Sequence, residues 1–145
     1  MKKKRILFVC VHNSGRSQIA EAWLKHLAPD QFEVESAGLL PGQLNPLVVT
    51  VMKEAGIDIS GNRTKSIHQV ISGEKPFDTV ITLCEQGAAG CPIIPGVKET
   101  LHWNFPDPAG FTGSEQERLI QARRLRDEIK QKLEAWIEKS AKQSA

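Results

Sequence analysis

Residues 10–17, Cys10-Val11-His12-Asn13-Ser14-Gly15-Arg16-Ser17, spell C-x5-R-S. Five residues between a thiol and a guanidinium can wrap successive backbone N–H groups around a tetrahedral oxyanion such as phosphate or arsenate. Arg16 returns a planar fork to two oxygens of that anion. Its charge, with the amino end of a following helix, favours the thiolate of Cys10. Cys10 then reads as a nucleophile, and Val11, His12, Asn13, Ser14, Gly15, Arg16 and Ser17 as the anion cradle. Ser17 is placed to donate to the sulfur, and Asn13 to hold the loop by bonding its backbone. Gly15 permits a tight backbone approach to the oxyanion, and His12 is not read as a base. The bland alternative is a buried structural cysteine before an ordinary strand-to-helix turn. A nucleotide site is not supported, because neither G-x-x-x-x-G-K-[ST] nor G-x-G-x-x-G occurs. Nor is zinc, because Cys84, Cys91 and His102 lack paired CxxC spacing and Cys10 stands far off.

The elements around this loop suit it. Residues 5–9 are a continuous apolar run, the pattern of a strand buried on both faces of a parallel sheet. Residues 17–28 carry Ile19, Ala20, Trp23, Leu24 and Leu27 at helical spacing and stop at Pro29. A second strand is expected over 32–37, ending at Gly38, and then a loop with Pro41 and Gly42. Asn45 as N-cap, Pro46 in the first turn and Gly56 as the stop bracket a second helix. Residues 77–83 and 98–103 are the third and fourth strands. In the final helix, Ser114 and Glu117 make a capping box, and Leu119, Ala122, Leu125, Ile129, Leu133, Trp136 and Ile137 trace one apolar stripe. Strands alternating with helices imply a doubly wound α/β fold, a four-stranded parallel sheet flanked by helices, in a single domain over 1–145 whose ligands bind at the carboxyl ends of strands.

The composition sets bounds on the function. With 145 residues, 40% hydrophobic and 25% charged, the chain is long enough for one core without metals or disulfides. A net charge of +2 is too small to imply nucleic acid. The longest apolar run, residues 6–11, falls short of the ~18 residues that cross a bilayer and of a secretory signal's apolar centre, so no membrane contact or export is expected. Three cysteines without an export signal point to a reducing compartment, the cytoplasm, where thiols stay available for chemistry.

The first strand and its loop resemble the low-molecular-weight protein tyrosine phosphatase superfamily. Asn13-Ser14, Arg16-Ser17-Gln18 and Ala20-Glu21-Ala22 resemble its arsenate reductase branch, in particular the thioredoxin-coupled class. So do Thr82-Leu83-Cys84 with Cys91-Pro92, and His102-Trp103 with Asp107-Pro108-Ala109-Gly110, in content, order and spacing. The resemblance covers nearly the whole chain and implies reduction of arsenate to arsenite, with thioredoxin as the external dithiol and no cofactor. It also raises Asp107, otherwise readable as a turn aspartate, to a general acid that protonates the leaving hydroxide.

Reduction needs two electrons, and a second thiol attacking the arsenic-bearing cysteine supplies them. Cys84, at the end of the third strand, is that thiol, since the fold resembled places the third strand beside the first. Cys91 follows seven residues later. A helix between the two would hold their α-carbons ~10.5 Å apart, beyond the ~7 Å limit for a disulfide, so this segment would have to unwind for Cys91 to take over the oxidation. Gly87, Gly90 and Pro92 make unwinding inexpensive.

The resemblance further associates Asn13, Glu21 and Ser36 with a monovalent cation beneath the loop. Lys65-Ser66 stands where an acidic ligand is often found, so an ammonium is expected in place of the cation. The rival enzyme is a tyrosine phosphatase, which needs only Cys10, Arg16 and Asp107. Against it, the Asp-Pro pair is followed by Ala109-Gly110-Phe111 and the chain has no tyrosine to flank an aromatic substrate. A non-catalytic anion-binding module is the third reading, which retention of Arg16 and three thiols disfavours.

Overall fold

A computed structural model describes residues 3–73, 75–83 and 96–144. Strand β1 (Lys4–Cys10) leads through the 11–15 loop into helix α1 (Arg16–Leu27), then strand β2 (Phe32–Gly38), helix α2 (Pro46–Glu54) and helix α3 (Ile67–Ile71). Strands β3 (Thr79–Thr82) and β4 (Glu99–His102), a 3-10 turn at Pro108–Gly110 and helix α4 (Glu115–Ser144) complete the order. The strands lie in the order β2-β1-β3-β4 and every pairing is parallel. The third strand is therefore beside the first, as the resemblance implied, and each expected strand appears. β3 and β4 are shorter than their apolar runs, although Leu83 N still donates to Val9 O (2.7 Å) and Trp103 N to Thr82 O (2.9 Å).

The two-residue period of β1 divides the core. Ile6, Phe8 and Cys10 face Ile19, Leu24, Met52, Leu125, Ile129 and Leu133 of α1, α2 and α4. Leu7 and Val9 point the other way, toward Ala37, Ile67, Phe77 and Val80. Both faces of the sheet are covered, which is why residues 6–10 are buried without interruption. An aromatic series ties sheet to α4, with ring centroids 6.4 Å apart for Phe8–Trp103, 6.3 Å for Trp103–Trp136 and 5.1 Å for Trp136–Phe32.

The local stop and start signals act as the residue types predict. Asn45 Oδ1 accepts from Leu47 N (2.9 Å) with Pro46 opening α2, and Gly56 takes the left-handed conformation (φ 88°) that ends it. Ser114 and Glu117 form their reciprocal pair ahead of α4. Helix α3 was not expected from the sequence, being too short for a hydrophobic period. Its capping box, Ser66-Ile67-His68-Gln69, is nevertheless readable. Among the described residues no helix is long and apolar enough to cross a membrane.

A two-pronged ion pair joins α2 to α4, with Arg123 Nε and Nη2 at 2.8 and 2.9 Å from the oxygens of Glu54. The bond from Arg123 holds the Glu54 carboxyl below its ordinary value of 4.5. A lowered carboxyl stabilises the fold above its unfolded-state value, and that contribution disappears as the pH drops through the folded-state value. Both groups are exposed, so the effect is small. Glu54→Gln is expected to lower Tm by about 1–2 °C at pH 7, and the gap from wild type should narrow in melts as the pH falls below the ordinary carboxyl value of 4.5.

Candidate active site

Cys10 ends β1, and Gly38 ends β2 directly across the ladder from it. Between Cys10 and Arg16 the chain turns over the carboxyl end of the sheet. Its carbonyls are taken from behind: Cys10 O by Leu39 N (3.3 Å), Val11 O by Leu40 N (2.9 Å), His12 O by Gly42 N (3.0 Å) and Ser14 O by Asn45 N (2.9 Å). Asn13 O accepts from Gln18 Nε2 at 3.1 Å. In a trans peptide the next N–H points opposite the carbonyl. The N–H groups of residues 11–15 are thus turned away from these backing contacts, and that of Asn13 reaches Cys10 Sγ at 3.2 Å. Asn13 achieves this bend with φ 54°, a conformation asparagine tolerates better than most residues.

Cys10 is 2% exposed. Ser17 Oγ lies 2.8 Å from its sulfur and receives Asn13 Nδ2 at 2.8 Å. Ser17 is therefore where the sequence placed it. Asn13 differs from expectation: its side chain bonds Ser17 and Lys65 N (2.9 Å) rather than the loop's own backbone. Val11 and Ser14 are half-buried, and His12 is exposed with Nδ1 2.9 Å from Leu40 O.

Arg16, almost fully buried, points across the mouth of the loop. Nη1 donates to Phe105 O (3.2 Å) and Nη2 lies 3.5 Å from Asp107 Oδ2. Asp107 caps the 3-10 turn through Oδ1, which accepts from Ala109 N at 3.0 Å, leaving Oδ2 toward the guanidinium. The aspartate is both a turn residue and a neighbour of the anion loop. A Cβ at Gly15 would stand 2.6 Å from Pro108 Cγ, so the glycine also permits the close approach of the Asp107 turn. Thr82 Oγ1 and His102 Nδ1 share a 2.7 Å hydrogen bond across the ends of β3 and β4. Cys84 and Cys91 lie outside the described residues.

Glu21 and Ser36 do come together beneath the loop, where the Ser36 hydroxyl donates to Glu21 Oε1 at 2.5 Å. Glu21 is 5% exposed, and the ammonium groups of Lys25 (2.7 Å) and Lys65 (3.6 Å) already balance it. Asn13 Oδ1 is used by Lys65 N and Gln18 Nε2. Two ammoniums on one carboxylate repel a further positive charge, so these residues do not fit a monovalent cation. Two contributors escaped the sequence reading. Gly38 passes under the loop so closely that a Cβ would lie 2.7 Å from Asn13 N and 2.8 Å from both His12 C and Val11 O. Gln18, fully buried, braces Asn13. A glycine closing a strand opposite the cysteine was a visible signal for the first; the second stands in the Arg16-Ser17-Gln18 motif, which gives it no role by itself.

Residues 5–145 match the family model described as low molecular weight phosphotyrosine protein phosphatase. An arsenate reductase of Halalkalibacterium halodurans is 43% identical over 138 residues, spanning 95% of this chain and 98% of that protein. A solved arsenate reductase in its phosphate-binding state is 33% identical, with TM-score 0.78 over 94% of this chain and 98% of the other. A thioredoxin-dependent arsenate reductase of Corynebacterium glutamicum is 35% identical, with TM-score 0.66, covering 99% of this chain and 64% of that one.

Proposed function

The chain belongs to the low molecular weight phosphotyrosine protein phosphatase family and, within it, to the arsenate reductases, and from that premise we propose that it reduces arsenate by a relay through three cysteines with thioredoxin as reductant. Cys10 Sγ attacks arsenic and forms an S–As bond. The N–H groups of residues 11–17 and the Arg16 guanidinium hold the oxyanion, and Asp107 protonates the departing hydroxide. Cys84 then attacks Cys10 Sγ. The S–As bond breaks, its electron pair stays on arsenic, arsenite leaves, and a Cys10–Cys84 disulfide remains. Cys91 attacks Cys84 and frees Cys10, and the Cys84–Cys91 disulfide is reduced by the external dithiol, as suits a protein working in a reducing cytoplasm. The observation that carries the reading is the buried Cys10 sulfur with Asn13 N and Ser17 Oγ upon it, and Arg16 and Asp107 at its mouth. The thioredoxin-dependent relative supports the choice of reductant.

The thiol order is tested by mapping alkylated peptides after arsenate exposure without reductant. Wild type should accumulate Cys84–Cys91. Cys91→Ser should release about one equivalent of arsenite and stop as Cys10–Cys84, since no third thiol remains. Cys84→Ser should lose reduction but keep any phosphatase activity, which needs Cys10 alone. Normal arsenate turnover by Cys84→Ser, or failure of thioredoxin with its reductase to support turnover by wild type, refutes the corresponding part of the relay.

Asp107→Asn is expected to slow the first chemical step by roughly 100-fold, the usual cost of lost general acid catalysis, with binding changed less. Single-turnover rates decide this, and an unaltered rate would reduce Asp107 to its turn-capping role.

A further inference from the structure

Gln18 has no part in the chemistry above, yet its carboxamide is fully buried and every polar atom on it is used. Nε2 faces three oxygens, Asn13 O (3.1 Å), Asn13 Oδ1 (3.2 Å) and Arg63 O (3.0 Å). Two of these belong to the backbone and cannot turn into donors, so the amide is fixed with its nitrogen inward. Its Oε1 accepts from Asn62 Nδ2 at 3.1 Å. Asn13 is fixed the same way. Oδ1 receives Gln18 Nε2 and the backbone N–H of Lys65, which forces Nδ2 toward Ser17 Oγ. With that hydrogen bond arriving at Ser17 Oγ, 2.8 Å from Cys10 Sγ, the serine's own proton is available to the sulfur once Cys10 is a thiolate.

We propose that Gln18 is a positioning residue for Cys10, the centre of a one-way chain of hydrogen-bond donors running Asn62 to Gln18 to Asn13 to Ser17 to the Cys10 sulfur. Each donor polarises the next, and all end on the atom that carries negative charge as a thiolate. The same carboxamide holds Asn13 in its left-handed conformation, which aims the Asn13 N–H at the sulfur. Gln18 thus ties the nucleophile to the 61–65 segment, a link that neither the C-x5-R spacing nor the thiol relay requires. The inference rests on the reading of Cys10 as the nucleophile.

The test uses the full chain carrying Cys84→Ser and Cys91→Ser, so that iodoacetamide reports Cys10 alone, with alkylation followed across pH. Gln18→Met keeps the volume and removes the donors. It should slow alkylation at pH 7 by about tenfold, the equivalent of one hydrogen bond to a charged group, and move the pH profile upward. Most of this slowing should vanish in a Ser17→Ala background, where the chain no longer ends on sulfur. Asn62→Asp, on an exposed residue, inverts the first donor and should slow alkylation about 2–3-fold with the fold retained; if Gln18→Met does not fold, this variant alone decides. Rates and profiles equal to the parent in every variant that folds, or a Gln18→Met effect undiminished by Ser17→Ala, overturn the donor chain while leaving Cys10 as nucleophile. If the parent itself alkylates with the profile of an ordinary exposed thiol, the nucleophile reading fails, and the chain with it.

Discussion

Cys10→Ser is expected to abolish arsenate reduction, and any hydrolysis of p-nitrophenyl phosphate with it, by roughly 10⁴-fold or more. The substitution changes one atom at a site that is 2% exposed, so packing around β1 should survive. What changes is ionisation. The Asn13 N–H and Ser17 Oγ lie against this atom, but a serine hydroxyl placed there remains protonated at neutral pH whatever its neighbours donate. The variant should keep wild-type Tm and still bind phosphate, because the cradle of N–H groups and Arg16 is untouched. Arg16→Lys should fail by a different route, losing oxyanion binding because one ammonium cannot replace a two-pronged fork. Substantial arsenite production by Cys10→Ser would remove the nucleophile from this site.

Gly38→Ala is expected to damage the site without touching a reacting group. Its Cβ would press on Asn13 N, His12 C and Val11 O at 2.7–2.8 Å, all backbone atoms that have no rotamer to escape into. β2 cannot retreat, because Gly38 pairs with Cys10 on one side and its N–H donates to Lys65 O (2.8 Å) on the other. The anion loop must therefore move. A displacement of about 1 Å costs on the order of 100-fold in catalysis, and the strain about 1–3 kcal/mol of stability. Phosphate titration, kcat/KM and denaturant unfolding measure the three effects. Wild-type phosphate affinity in Gly38→Ala would show that the loop absorbs a methyl group the geometry leaves no room for.

Much of this could be read from residue order, for a physical reason. The apolar run at 6–9, the Asn45-Pro46 start, the Ser114–Glu117 box and the stripe on α4 are local patterns, and each predicts a local conformation from steric and hydrogen-bonding rules that need no distant partner. The spacing from Cys10 to Arg16 is likewise local, so the proposed anion loop and nucleophile rest on a pattern that a single window of residues carries. Asp107 was legible only with the family pattern beside it, since an Asp-Pro turn alone has many uses. The remainder depends on residues far apart in the chain. Gly38 matters because β2 lies against the loop 25 residues after it. The Lys65 ammonium was, like Asp107, legible only with the family pattern beside it, but that it meets Glu21 together with Lys25 depends on how the 61–66 segment packs on α1. Gln18 acquires a role because Arg63 O, Asn62 and Lys65 N close around it and Asn13. Those contacts form when separate segments pack over the carboxyl end of one parallel sheet. Their geometry is a property of that packing and has no signature in any single window of residues.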